Sequence, residues 1–245
     1  MRTLLIVLCS IVFAWNGFAA NGPVSYQVQG EQFEGYFLSP SVSAPLVVLV
    51  HDWDGLTAYE IKRAEMIAGL GYAVFAIDLF GAGVRPTSLE EKKQRTAALY
   101  NDRLRMRSLL QGGLQAAKDH GGNVANSVAV GYCFGGAAVL ELARSGADLK
   151  GFVSFHGGLE IPSGQNYKTT KGKLLILHGT ADSSVTMGQF ATLAETLEAE
   201  GVPHEMITYS GAPHAFTVFG SDRYREDADK KSWKRFTEFL DQTTR

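Results

Sequence analysis

The chain has 245 residues, 45% of them hydrophobic and 20% charged, which suits one globular domain with a sizeable core. Its 23 Lys and Arg are balanced by 25 Asp and Glu, so nothing in the charge points to a nucleic-acid partner. Two cysteines, Cys9 and Cys133, are too few for a disulfide framework or a zinc site built on cysteines.

In chain order, Arg2 is followed by an apolar run from Leu4 to Trp15 and a small-residue exit, Gly17-Phe18-Ala19-Ala20. This is the pattern of a secretory signal peptide over residues 1–19, with cleavage near Ala19 or Ala20. The run is shorter than the roughly 20 residues that span a bilayer, so no stable membrane association is expected after cleavage. The mature chain, residues 20–245, is expected as a single domain in a secreted or periplasmic setting. It keeps 23 − 1 = 22 basic residues once Arg2 is removed, and Cys133 is then its lone cysteine.

Val24–Val28 and Gln32–Phe37 alternate like a hairpin around Gly30. Pro45–Val50 and Ala73–Ile77 are continuous apolar runs, as in strands buried on both faces. Helices are predicted over Ile61–Leu70 and Arg103–His120. Ser127–Val130 reads as a strand and Ala137–Arg144 as a helix, with further strands at Phe152–Phe155 and Leu174–Leu177. A helix over Met187–Glu200, a strand at His204–Tyr209 and a closing helix over Arg223–Leu240 complete the chain. Strands that alternate with helices predict an α/β fold, a mostly parallel sheet with helices on both faces.

Gly131-Tyr132-Cys133-Phe134-Gly135-Gly136 joins a strand to a helix with the cysteine at the apex. This is the G-x-Nuc-x-G elbow, with cysteine where serine is usual, and the positive end of the helix favours negative charge there. A lone cysteine also fits a small buried hydrophobe. Two more strand ends favour chemistry: Leu177 leads into His178-Gly179-Thr180-Ala181-Asp182, and Tyr209 into Ser210-Gly211-Ala212-Pro213-His214. The order nucleophile Cys133, acid Asp182, base His214 is that of α/β-hydrolase triads. Asp182 alone could merely cap the following helix, and His214 could be a loop histidine. The backbone N–H groups of Phe134 and Trp53 are the candidate oxyanion hole. His51, His156 and His178 also sit at strand ends and are read as hydrogen-bonding loop backbone. No local metal motif links them, and no metal or cofactor is expected.

Gly131–Gly136, His178–Asp182, Gly211–Phe216 and His51–Gly55 together resemble the dienelactone hydrolase family of α/β-hydrolases over nearly the whole mature chain. The resemblance implies a Cys133–His214–Asp182 triad and a carboxylate, Asp52, that pairs with the resting cysteine. Asp52 is one methylene shorter than the glutamate usual there. The family's substrate-binding arginines have Ala82 and Val218 at the matching positions here, with Arg85 and Arg223 nearby. The expected activity is hydrolysis of a small-molecule ester, lactone or thioester through an acyl-cysteine. An acyltransferase, a peptidase or a non-catalytic binding member of the fold are the alternatives. Phe80, Phe216 and Phe219 are candidates for the substrate pocket, or for packing between loops.

Overall fold

A computed structural model describes residues 21–245. The signal-peptide expectation lies outside the described residues. The elements are β1 (Gly22–Val28), β2 (Glu31–Leu38), β3 (Pro45–Val50), α1 (Ala58–Ala68), β4 (Ala73–Ile77), α2 (Leu89–Asn101) and α3 (Arg103–Asp119). They continue with β5 (Asn123–Tyr132), α4 (Phe134–Arg144), β6 (Gly151–Phe155), β7 (Lys173–Gly179), α5 (Met187–Ala199), β8 (His204–Tyr209) and α6 (Glu226–Thr244).

The strands form one 8-stranded sheet in the order β1-β2-β4-β3-β5-β6-β7-β8. From β4 through β8 the pairings are parallel, and the β1–β2 hairpin joins the edge antiparallel. β3 explains why its run is apolar throughout. Leu46, Val48 and Val50 face one core cluster while Val47 and Leu49 face the other. Each buried Val or Leu contributes about 1.5–3 kcal/mol. Successive parallel strands are laid down to one side of β3 with β4 and to the other with β5. The carboxyl ends of β3 and β5 therefore flank a topological switch point, where open α/β sheets bind ligands.

Local signals set the helix starts. Thr57 and Glu60 form a reciprocal capping box that begins α1 at Ala58, three residues before the predicted start. Ser88 and Glu91 do the same for α2, a helix absent from the sequence expectation. α6 starts at Glu226, with Glu226, Asp227 and Asp229 at its positive end, so Arg223 lies in the preceding loop and not in the helix.

Candidate active site

The elbow is built from backbone contact. Cys133 is the N-cap of α4 at φ 52° and ψ −114°, a conformation that costs a non-glycine residue about 1–3 kcal/mol. Two glycines make room for it. A Cβ on Gly131 would stand 2.1 Å from the carbonyl oxygen of Gly135, and one on Gly135 would stand 2.2 Å from that of Val50. The start of α4 therefore lies directly against the ends of β5 and β3. The Cys133 N–H donates to the Phe155 carbonyl at 3.0 Å, which ties the apex to β6.

The loops after β7 and β8 bring two partners to the sulfur. His214 Nε2 lies 3.0 Å from Cys133 Sγ, and its Nδ1 lies 2.8 Å from Asp182 Oδ2. The other carboxylate oxygen of Asp182 accepts from the Ser184 and Val185 N–H groups, each at 2.8 Å. Asp182 thus binds both the loop and the histidine. Burial opposes its charge, but hydrogen bonds from His214, Val185 and Ser184 hold its pKa below the ordinary carboxylate value. Burial likewise opposes a proton on His214. The hydrogen bonds to Asp182 and Cys133 outweigh it and raise the pKa to about 10. With Asp182 accepting at Nδ1, the other ring nitrogen is the one that faces the sulfur.

The N–H of Phe134, as first residue of α4, has no intrahelical acceptor. Neither it nor the Trp53 N–H has a hydrogen-bond acceptor among the described residues, and both residues line the cavity over Cys133. This cavity has a volume of about 300 Å³. Its wall also includes Asp52, Tyr100, Gly158, Val185 and Arg223. Asp52 shares the cavity with Cys133 but the two are not hydrogen-bonded. Its Oδ1 accepts from the Asp54 N–H at 2.8 Å, while the sulfur's hydrogen bond goes to His214. The short side chain turns back on its own loop, so the expected pairing with Cys133 is not made in this conformation. Burial and the neighbouring Glu60 push the Asp52 carboxyl up to about 8.

The three candidate pocket phenylalanines lie elsewhere. Phe80 stacks on Phe134 with centroids 5.6 Å apart, beneath the cavity wall. Phe216 is wholly buried against His156 and Tyr209. Phe219 covers the Arg63 guanidinium, 4.2 Å from its ring centroid, where a cation–π contact holds it. Arg85 is also turned away. Its guanidinium donates to the Leu56 and Val84 carbonyls. Arg223 does reach the cavity, and makes no hydrogen bond or ion pair with another described residue. Tyr100 lies on α2, the helix that the sequence pattern does not predict. The Ser88–Glu91 capping box was the signal that could have found α2.

Of the three strand-end histidines, His51 and His178 bond loop backbone as expected, whereas His156 bonds the Thr217 hydroxyl. His51 Nε2 accepts from the Leu79 N–H at 3.0 Å, so its Nδ1 carries the proton given to the Asp52 carbonyl at 2.6 Å. His178 Nε2 donates to the Val185 carbonyl at 3.0 Å and braces the Asp182 loop. Among the described residues no three His, Cys, Asp or Glu side chains are grouped as a metal site would need.

The sequence model of the dienelactone hydrolase family matches residues 33–244. A Salmonella typhimurium protein named "Putative carboxymethylenebutenolidase" is 23% identical over 246 residues, covering 93% of this chain and 89% of that one. The solved structure titled m3DLH superposes with a TM-score of 0.85 at 29% identity, covering 94% of this chain and 100% of its own. The dienelactone hydrolase-like promiscuous phosphotriesterase P91, from metagenomic libraries, gives 0.84 at 27% identity, with 93% and 99% covered. The chain belongs to the dienelactone hydrolase family and is a hydrolase of ester or lactone bonds.

Proposed function

We propose that this protein is an exported hydrolase that cleaves a small ester, lactone or thioester through an acyl-cysteine intermediate. The observation that carries the reading is the continuous Cys133 Sγ–His214–Asp182 hydrogen-bond chain at the floor of a cavity. His214, raised to about 10, holds a proton beside the sulfur at neutral pH. The sulfur attacks the substrate carbonyl carbon, and the resulting oxyanion takes hydrogen bonds from the Trp53 and Phe134 N–H groups. As the tetrahedral species collapses, the bond from carbon to the leaving oxygen, or to the leaving sulfur of a thioester, breaks and His214 delivers its proton to that atom. The neutral imidazole then removes a proton from water, which attacks the thioester and restores the cysteine with release of the acid. Asp182 fixes the ring orientation throughout.

The wall points to a preference. Trp53, Phe134 and Val185 offer apolar surface, and Arg223 offers a positive charge with no ion-pair partner among the described residues. A mainly apolar acyl group carrying an anionic substituent fits this set. Export rests on the apolar, small-residue pattern of residues 1–20, and N-terminal sequencing of the secreted protein tests it.

Cys133→Ala is expected to lower turnover of a p-nitrophenyl ester panel at least about a thousandfold with the fold retained. Undiminished turnover in that variant would sink the cysteine mechanism.

A further inference from the structure

Behind His214 lies a second polar chain that the triad does not use. It starts at Arg63 on α1, whose side chain is 0% exposed and pairs with Asp229 of α6. Its guanidinium is enclosed by the rings of Phe219, Trp233, Tyr59 and Tyr132, at 4.2–5.7 Å from their centroids. A buried ion pair adds little stability over apolar packing, so a cage of this kind calls for another explanation. Arg63 Nη2 also donates to the carbonyl of Thr217 at 2.8 Å, three residues beyond His214. Arg63 Nε donates a longer bond, 3.4 Å, to the Tyr59 hydroxyl.

The chain continues inward. Tyr59 Oη lies 2.7 Å from Thr217 Oγ1, which lies 2.8 Å from His156 Nε2. The His156 ring in turn packs edge-to-face on the His214 ring, with centroids 5.4 Å apart.

Proton directions follow from what each group can do. Arginine only donates, so Tyr59 accepts from it and has its own proton to place. Among the described residues the one acceptor in reach is Thr217 Oγ1, and the Thr217 proton then has one acceptor, His156 Nε2. Reversing the chain would leave a buried hydroxyl proton without an acceptor and a buried Nδ1 lone pair without a donor. The forward direction leaves the His156 Nδ1 hydrogen alone unpaired, and Nδ1 is indeed a buried atom with no partner among the described residues. The Arg63 charge favours the same direction, since it draws the hydroxyl oxygens towards itself and turns their protons away.

We propose that Arg63, Tyr59 and Thr217 form a directed hydrogen-bond relay that holds His156 neutral as its Nδ1–H tautomer, making His156 a positioning residue for His214. A second proton on His156 would need Nε2, which is already accepting. His156 is faced by His214 and Asp182 from the β8 and β7 loops, by the Tyr132 ring from β5, by Phe216, and at greater distance by Arg63. Burial, His214 and Arg63 all oppose charge on it, and Asp182 favours it. A neutral ring can lie against the His214 imidazolium without repulsion and keep it aligned between Asp182 and Cys133.

The tautomer is read by 15N NMR of the histidine imidazoles in the intact protein at neutral pH. The expected spectrum shows His156 protonated at Nδ1 and bare at Nε2. An Nε2–H or doubly protonated His156 would overturn the proposal without reference to activity. Thr217→Val removes the hydroxyl and keeps the backbone carbonyl that Arg63 binds. It is expected to redistribute the His156 tautomers and to lower kcat about tenfold with KM within about twofold, while Thr217→Ser restores both. A folded Thr217→Val variant with unchanged kcat would also overturn it, as would failure of Thr217→Ser to rescue. If Thr217→Val does not fold, the wild-type spectrum decides alone. The kcat arm rests on His214 acting as proposed above. The tautomer arm does not, so failure of the relay and failure of the triad reading are distinguishable.

Discussion

At the elbow, position is set by main chain pressed on main chain: the β5–α4 turn, the end of β3 and the Phe155 carbonyl leave no space for side chains between them. Elsewhere in the cavity lining, residues come from far apart in sequence: Tyr100 from α2, Val185 from the β7 loop, Arg223 from the segment before α6. The first arrangement fixes a sulfur and the Phe134 N–H. The second lines the space above them. The backbone turn at the elbow is therefore formed by neighbours in sequence, and the rest of the cavity lining and the partners of the sulfur are not.

The sharpest way to break this contrast is through Phe80, which supports the wall from beneath without lining the cavity. Phe80→Ala is expected to cost about 3–5 kcal/mol of stability in denaturant unfolding and to leave KM nearly unchanged in the folded fraction. A large KM effect with intact stability would place Phe80 in the pocket after all. Gly135→Ala attacks the elbow itself, forcing a Cβ to within 2.2 Å of the Val50 carbonyl oxygen. It is expected to cost about 3 kcal/mol and to lower kcat by moving Cys133 and the Phe134 N–H together. Loss of stability with unaltered kcat would show that the elbow tolerates displacement.

The His214–Asp182 pair gives a pH signature. The folded state raises His214 from 6.5 to about 10, so its contribution to stability is full below 6.5 and is lost as pH rises through about 10. Asp182 is lowered from 3.8, so its contribution is present above 3.8 and is lost as pH falls through its lower folded value. The difference in unfolding free energy between wild type and His214→Gln is expected to peak between these limits. A difference that grew towards alkaline pH would contradict the assignment. The smallest effect is expected at the rim: Arg223→Ala raises KM about threefold for an anionic ester and leaves a neutral ester unaffected, because the guanidinium is exposed.

The same division governs what the sequence reveals. The order of strands and the elbow can be read because glycines, apolar runs and strand-end loops are contiguous signals. Cys133, Asp182 and His214 lie on three such loops, and the sheet brings them within hydrogen-bond distance. α2 escapes because it is a lightly buried helix: only Thr96 and Leu99 are fully covered, so it has almost no apolar period. Tyr100 is lost with it. Arg223 is named from the sequence only alongside Arg85, because extending α6 back to Arg223 conceals that it lies in a loop. Phe80, Phe216 and Phe219 are in the right loops, but loop position does not say which way a ring turns. Each found a better partner in another ring or in the Arg63 guanidinium than in the cavity. Asp52 shows the same limit at atomic scale, since its rotamer answers to the Asp54 N–H and not to the sulfur.

The central claim is that the scissile acyl group passes through Cys133. Acid-quenching the wild-type enzyme during turnover of a slow ester, followed by peptide mass spectrometry, tests it directly. The account predicts an acyl adduct on the peptide containing Cys133 that disappears on the timescale of product release. Turnover with no adduct on that peptide, or with the acyl group on another residue, would contradict it.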